Sequence, residues 1–288
     1  MLKIGIVGAE NSHTVAIAKT INIDGLIPDA HVTGVWGEMP EFAQGAAEKG
    51  QIPQIVDQPE DFIGKVDGVV VDHRHPVEHL PAATPLLEAK IPLFIDKPFC
   101  YRVEEGKAFL SRAKDLDVAV TSFSVLPKQA SFLELKKQAE SLGTISSVVT
   151  TGPCDIHSPY GGVFFYGIHQ VDMLLRFTGY DAVEAKINLG TGDNHIATIR
   201  FSSGTVGAMN LIKDGSPAFH VSIIGENGRM DAEITNDQNN YFSGIQEFVH
   251  MFRTREVSET DASILGPVAV LQALEVSLEK KVPVAVGL

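Results

Sequence analysis

The stretch Leu2-Lys3-Ile4-Gly5-Ile6-Val7-Gly8-Ala9-Glu10-Asn11-Ser12-His13 decides how the first part of the chain is read. Its isoleucines and valine favour an extended strand. Gly8 is free to take the backbone angles of a tight turn, and Asn11 or Ser12 can cap a helix that follows. The order strand, turn, helix then recurs. Strands are predicted at 2–7, 31–36, 68–71, 93–95 and 118–121, with helices near 13–23, 41–49, 79–89 and 103–115. Short β-rich runs alternating with helices specify βαβ units on a parallel sheet. The run Val69-Val70-Val71 suits a strand covered on both faces.

The texture changes after residue 122. A helix over 128–141, a loop containing Gly161-Gly162 and a helix over about 167–178 are followed by longer alternating strands. These are Ile145–Thr151, Ala182–Leu189, His195–Phe201, Thr205–Ile212 and His220–Gly225, expected to be antiparallel, with hairpin turns at Ser203-Gly204 and Asn227-Gly228. A last helix is expected near 266–280. At 288 residues the chain exceeds one ordinary core. The reading is therefore an α/β Rossmann-type domain with a parallel sheet over 1–122, and an α+β domain with an open, mostly antiparallel sheet over 123–288.

A formal charge of −13 and the lack of any basic block argue against nucleic acid, whose phosphates need Lys and Arg. Cys100 and Cys154 are the only cysteines, too few for a disulfide framework and in keeping with a reducing compartment. Met1 runs straight into a strand, and no apolar run approaches the roughly 18 residues of a membrane span. A cytoplasmic protein with no membrane partner is expected.

A strand–turn–helix opening is where a dinucleotide-binding fold holds its pyrophosphate, so Gly8, Ala9, Glu10, Asn11 and Ser12 are candidate cofactor residues. The turn departs from the glycine-rich fingerprint. Glu10 replaces its second glycine and His13 its third. A carboxylate about 5 Å from a phosphate costs roughly 3 kcal/mol at an effective dielectric near 20. Glu38, after the second strand, can accept from the adenosine ribose hydroxyls and would repel a 2′-phosphate, which favours NAD over NADP; it reads equally as a solvated carboxylate. Asp96 and Lys97 end the fourth strand, on the side of a parallel sheet that faces ligand. Lys97 can bond a substrate hydroxyl and help move its proton, or simply pair with Asp96. Asp72-His73-Arg74-His75 closes the third strand. Arg74 is read as contacting cofactor or substrate, and His75 as contacting cofactor. These histidines with His157 and His169 can also ligate zinc, although their spacing specifies no metal and none is assigned. Lys128, in the segment joining the domains, and Tyr166, beside Phe164 and Phe165, are substrate-contact candidates with His157; for both phenylalanines core packing is the better reading.

Ala89-Lys90-Ile91-Pro92-Leu93-Phe94-Ile95-Asp96-Lys97-Pro98 resembles the AGKHVLxEKP segment of the Gfo/Idh/MocA oxidoreductases. His79 matches a histidine that begins the preceding helix in that family, and Gly161-Gly162 leading to Gly167-Ile168-His169-Gln170-Val171-Asp172 resembles its second-domain catalytic segment. The resemblance implies NAD(P)-dependent transfer of hydride to or from a sugar, cyclitol or related small substrate. It implies Lys97 and His169 as catalytic groups, His169 as the base with Asp172 supporting it, and a homodimer or homotetramer formed through the C-terminal sheet. Two positions depart from the pattern. Phe165 stands where the family carries an aspartate four residues before its histidine, and TPxxxH reads Arg74-His75-Pro76-Val77-Glu78-His79. Glu10 and Phe165 motivate one alternative, a non-catalytic nucleotide or sugar sensor, and the histidine cluster another, a metal-dependent hydrolase or isomerase.

Overall fold

A computed structural model describes residues 1–288. Strand β1 (Leu2–Val7) leads to helix α1 (Ser12–Ala18), which continues as a π-helical turn over Lys19–Ile23. Then follow β2 (Ala30–Trp36), α2 (Pro40–Gly50), β3 (Gln54–Ile55), β4 (Gly68–Val71), α3 (His79–Glu88), β5 (Leu93–Ile95), α4 (Val103–Asp115) and β6 (Val120–Thr121). The six strands form one sheet in the order β3-β2-β1-β4-β5-β6, and every neighbouring pair is parallel. The order reverses between β1 and β4, and ligands of such sheets bind beyond the strand ends at that reversal. Gly8 ends β1 there with φ +106°, and a Cβ on it would lie 2.7 Å from the carbonyl carbon of Asp72 at the end of β4. Only glycine meets both conditions.

The next elements are α5 (Ala130–Ala139), β7 (Ile145–Pro153), α6 (Val163–Thr178), β8 (Ala182–Leu189), β9 (Asn194–Phe201), β10 (Val206–Ile212), β11 (Phe219–Gly225) and β12 (Gly228–Ile234). The chain closes with α7 (Phe242–Thr254), α8 (Asp261–Lys280) and β13 (Val284–Ala285). The second sheet has seven strands in the order β12-β11-β7-β10-β9-β8-β13. The expectation of antiparallel pairing needs one correction: β7 and β10 run parallel, because helix α6 and a hairpin intervene before β10 takes its place beside β7. Strands β3, β12 and β13 were not foreseen. β3 and β13 have two residues each, too short to show a period, and β12 is an edge strand carrying Arg229, Asp231 and Glu233.

Two compact units result, and their boundaries are not those read from the sequence. The first comprises Met1–Cys100, Glu104–Phe123 and Tyr241–Thr260; the second comprises Tyr101–Val103, Ser124–Asn240 and Asp261–Leu288. Residues 241–260 belong to the first because α7 presents Ile245, Phe248, Val249 and Phe252 to the core that contains Ile4, Val70 and Phe94. Phe248 stacks on Phe94 at 4.7 Å, and Gly68 leaves the space that the Phe252 ring fills. In the second unit α8 starts at Asp261, earlier than expected, and takes Pro267 within the helix. α8 is long and apolar enough to cross a membrane by length and composition, and its burial of Leu265, Val268, Leu271 and Leu274 makes it a core helix.

Candidate cofactor and catalytic sites

The turn after β1 is organised by Glu38. Its Oε2 accepts the backbone N–H groups of Ala9 at 2.8 Å and of Glu10 at 3.1 Å. Its Oε1 is buried and has no partner. A buried oxygen without a donor is costly, and a ribose hydroxyl at the end of β2 would supply one. The residues therefore fit the adenosine half of a dinucleotide. The Glu10 carboxylate is met by Arg74, 3.8 Å away, which offsets the charge this turn sets against a phosphate. Asn11 caps α1 by accepting from His13 N–H at 3.4 Å, and Ser12 is exposed at the first turn of the helix. His75 caps the short turn Pro76–Glu78, its Nδ1 accepting from Val77 N–H at 3.1 Å.

Behind the turn lies a buried polar network that motif reading had not assembled. His13, in place of the third glycine, brings Nδ1 to 3.2 Å from Asp96 and 3.6 Å from Asp72, with its ring against Tyr241 at 5.1 Å. The Asn11 amide donates to Asp72 at 3.0 Å and to Asp96 at 3.3 Å, and Lys97 Nζ is 3.4 Å from Asp96. Ligand atoms of His13, Asp72 and Asp96 lie within 4.8 Å of one another, so these three are where a cation would sit; Asn11 and Lys97 now meet their charge from within. Burial, and then the charge of Asp96, push the Asp72 carboxyl well above the usual carboxylate range. Burial acts on Asp96 in the same sense, but Lys97 and His13 outweigh it and hold that carboxyl low.

The Thr14 hydroxyl has two acceptors, the Gly8 carbonyl at 2.8 Å and Asp72 Oδ2 at 2.5 Å, and its bond to Asp72 works against the larger effect of burial on that carboxyl. His79, the histidine matching the family helix, has its ring nitrogens 2.8 Å from the Pro98 carbonyl and 2.9 Å from the His73 carbonyl, tying the exit of β4 to that of β5. Burial pushes His73 down to about 3, with His79 adding to the effect.

The second unit holds the other cluster. His169, in the middle of α6, is buried, with Tyr166 and Phe219 set edge-on to its ring at 5.7 and 5.6 Å. The group that meets its Nδ1 is Ser124 Oγ, at 2.7 Å. The Asp172 carboxylate takes Arg176 Nε at 3.0 Å and the Ser124 backbone N–H at 3.3 Å, so it fixes the segment that carries Ser124. Phe165 packs against Tyr160 and Tyr166. Lys128, half-buried, closes the short turn Leu126–Lys128 ahead of α5. His157 is exposed, its N–H donating to Asp155. Ser124 and Arg176 escaped assignment of a role because a serine on an interdomain segment and an arginine one turn beyond Asp172 carry no motif. Asp72 had one visible signal, a carboxylate directly after three valines.

Residues 2–124 match the model of the Gfo/Idh/MocA family, described as an oxidoreductase family with an NAD-binding Rossmann fold. Over these residues the chain is similar to that family. Among curated proteins no match was found. The whole chain is similar to solved structures of the same architecture. A probable dehydrogenase from Thermotoga maritima is 18% identical, covers 99% of both chains and gives a TM-score of 0.84. A scyllo-inositol dehydrogenase from Lactobacillus casei with bound NAD(H) and scyllo-inositol is 16% identical, covers 99% of both chains and gives 0.86. A myo-inositol dehydrogenase from Lactobacillus casei in complex with NAD(H) and myo-inositol is 15% identical, covers 100% of this chain and 97% of that one, and gives 0.83. At these identities the likeness is one of fold. The matched family binds NAD through its Rossmann fold.

Proposed function

We propose that the chain is an NAD(H)-dependent oxidoreductase that moves hydride between nicotinamide and a small polyhydroxylated substrate or the matching ketone. The observation that carries this reading is Glu38, one oxygen pinned by two turn amides and the other buried without a donor. In this reading the Gly8–Ser12 turn and the N-terminus of α1 receive the pyrophosphate, where backbone N–H groups favour an anion. Glu38 receives the adenosine ribose. His75 and Asp96 border the cofactor; Arg74, Lys128, Tyr166 and His157 remain the substrate-contact candidates. Bound nicotinamide supplies the hydride chemistry. Lys97 and His169 are the catalytic candidates of this reading, each of a type that can bond a reacting oxygen or move its proton. The inositol substrates of the solved relatives support a cyclitol or sugar as the class to screen first.

The test is titration of the purified protein with NADH and with NADPH, followed by nicotinamide fluorescence. Saturable NADH binding with weaker NADPH binding is expected; binding of neither overturns the reading. Phe165, which leaves His169 without the family's aspartate, favours a second reading as a non-catalytic sensor. Dinucleotide binding with no turnover across a polyol and ketose screen would select it.

Two more parts of the proposal concern the protein's setting. A homodimer or homotetramer would form through the seven-stranded sheet, supported by the exposed Ile196, Val206 and Ile224 on its strands; light scattering that returns the monomer mass overturns this. A cytoplasmic location is supported by two buried cysteines, neither of them in a disulfide, and fractionation of cells expressing the chain checks it.

A further inference from the structure

Ser124 has a single hydroxyl hydrogen to place, and its surroundings decide where it goes. The side chain is almost wholly buried, 1% exposed. Its Oγ receives the Leu126 backbone N–H at 3.3 Å and lies 2.7 Å from His169 Nδ1. A backbone N–H can only donate, so the Leu126 contact uses a lone pair of Oγ. Nδ1 is then the acceptor that the hydroxyl hydrogen finds. Giving the hydrogen to Nδ1 makes that nitrogen the lone-pair atom and puts the ring proton on Nε2. In the opposite assignment Nδ1–H and Leu126 N–H both donate to Oγ, and a buried hydroxyl hydrogen is left with no acceptor, the costly case. A carboxylate beside Nδ1 would reverse the preference, because it can only accept. Phe165, one helical turn before His169, supplies none; it packs between Tyr160 and Tyr166. Asp172 is spent on Arg176 and on the backbone N–H of Ser124, which anchors the serine in place.

We propose that Ser124 holds His169 as the neutral imidazole with its proton on Nε2, so that this histidine presents a hydrogen-bond donor to a substrate carbonyl oxygen rather than a lone pair to a hydroxyl. The substrate half of the statement rests on the reading of His169 as a group that meets substrate; the tautomer itself does not. Ser124 is a positioning residue, acting through the ring it orients. Its companion on the substrate side is a ketone or aldehyde, whose oxygen accepts from Nε2–H and is polarised by it, as a neutral imidazole can do without giving up its proton. The mechanism sketched for His169 as a base then applies only after the ring exchanges its proton between the two nitrogens.

The tautomer is read directly from two-bond 1H–15N correlation spectra of the full chain labelled with 15N-histidine, the His169→Gln variant identifying the signals of His169. The expected wild-type pattern has Nδ1 at the strongly deshielded position of an unprotonated ring nitrogen and Nε2 at that of a protonated one. Ser124→Ala should move both signals towards the opposite tautomer, and Ser124→Thr, which keeps the hydroxyl, should restore them. A wild-type Nδ1 that is protonated, or a Ser124→Ala spectrum identical to wild type, overturns the proposal. If Ser124→Ala does not fold, the wild-type spectrum still decides. NADH titration of the same sample separates the two readings: a proton on Nε2 in protein that binds no NADH upholds the role of Ser124 and sinks the dinucleotide reading, and the reverse pattern does the opposite.

Discussion

Replacing Asp72 with asparagine should stabilise the first unit, and more so as the pH rises. Asp72 has a raised carboxyl pKa in the folded protein, through burial and the neighbouring Asp96. A group of that kind gives its full stability below the pKa of the unfolded chain, about 3.9, and loses it as pH climbs towards the folded value. Each pH unit crossed while the folded state keeps the proton costs about 1.4 kcal/mol. The wild type should thus lose stability through this one carboxyl as pH rises from about 3.9 towards the raised folded value. Asparagine bears no such cost. Its Oδ1 would accept from Asn11 as Oδ1 of Asp72 does at 3.0 Å, and its Nδ2–H would donate to Thr14 Oγ1, whose own hydrogen then goes to the Gly8 carbonyl 2.8 Å away. The assay is urea unfolding at pH 5, 6 and 7 followed by the fluorescence of Trp36, the only tryptophan, which lies in the same unit. The stability gained by Asp72→Asn over wild type should widen with pH. A variant that is less stable at pH 7, with the gap closing on acidification, would show that Asp72 is an ionised partner of Lys97 or His13 and refute a raised carboxyl pKa.

Other substitutions test other links. Glu38→Ala should weaken NADH binding by roughly 10- to 100-fold, the worth of about 1.5–3 kcal/mol for a hydrogen bond to a charged group, and should narrow the gap to NADPH; unchanged affinity in a fluorescence titration would remove Glu38 from the cofactor site. Gly8→Ala puts a Cβ 2.7 Å from backbone atoms at a φ of +106°, so a loss of at least about 2 kcal/mol is expected in denaturant unfolding; a loss below half that would mean the turn relaxes freely. Phe252→Ala should cost about 3–5 kcal/mol in the first unit, as for a buried phenylalanine, and a fragment ending at residue 123 should fail to fold without α7; a stable, cooperative fragment would contradict the unit boundaries.

The parallel sheet was legible from Leu2-Val7, Val69-Val71 and Leu93-Ile95 because each is a short apolar run followed by a turn and a helix, a pattern set by neighbours in sequence. The common position of Gly8, Glu38 and Lys97 was legible for a related reason: the ends of parallel strands fall at one edge of the sheet whatever the rest of the chain does. The return of 241–260 to the first unit was not legible. The spacing of Ile245, Phe248, Val249 and Phe252 shows that α7 has an apolar face, but an apolar face does not say which core it will cover; Gly68 and Phe94 answer that only once the sheet exists. Nor does sequence reveal the parallel pairing of β7 and β10, since a strand's alternation is the same in either direction. The protonation states lie furthest from the sequence. Asp72 and Asp96 are the same residue type at two strand ends, yet their carboxyls shift in opposite directions, because only the folded chain buries the first beside Asp96 and sets Lys97 with His13 beside the second. The residue types that can carry proton and cofactor chemistry are written in the sequence; which atom holds each proton depends on donors and acceptors brought together from distant positions, and that was decided by the tertiary structure alone.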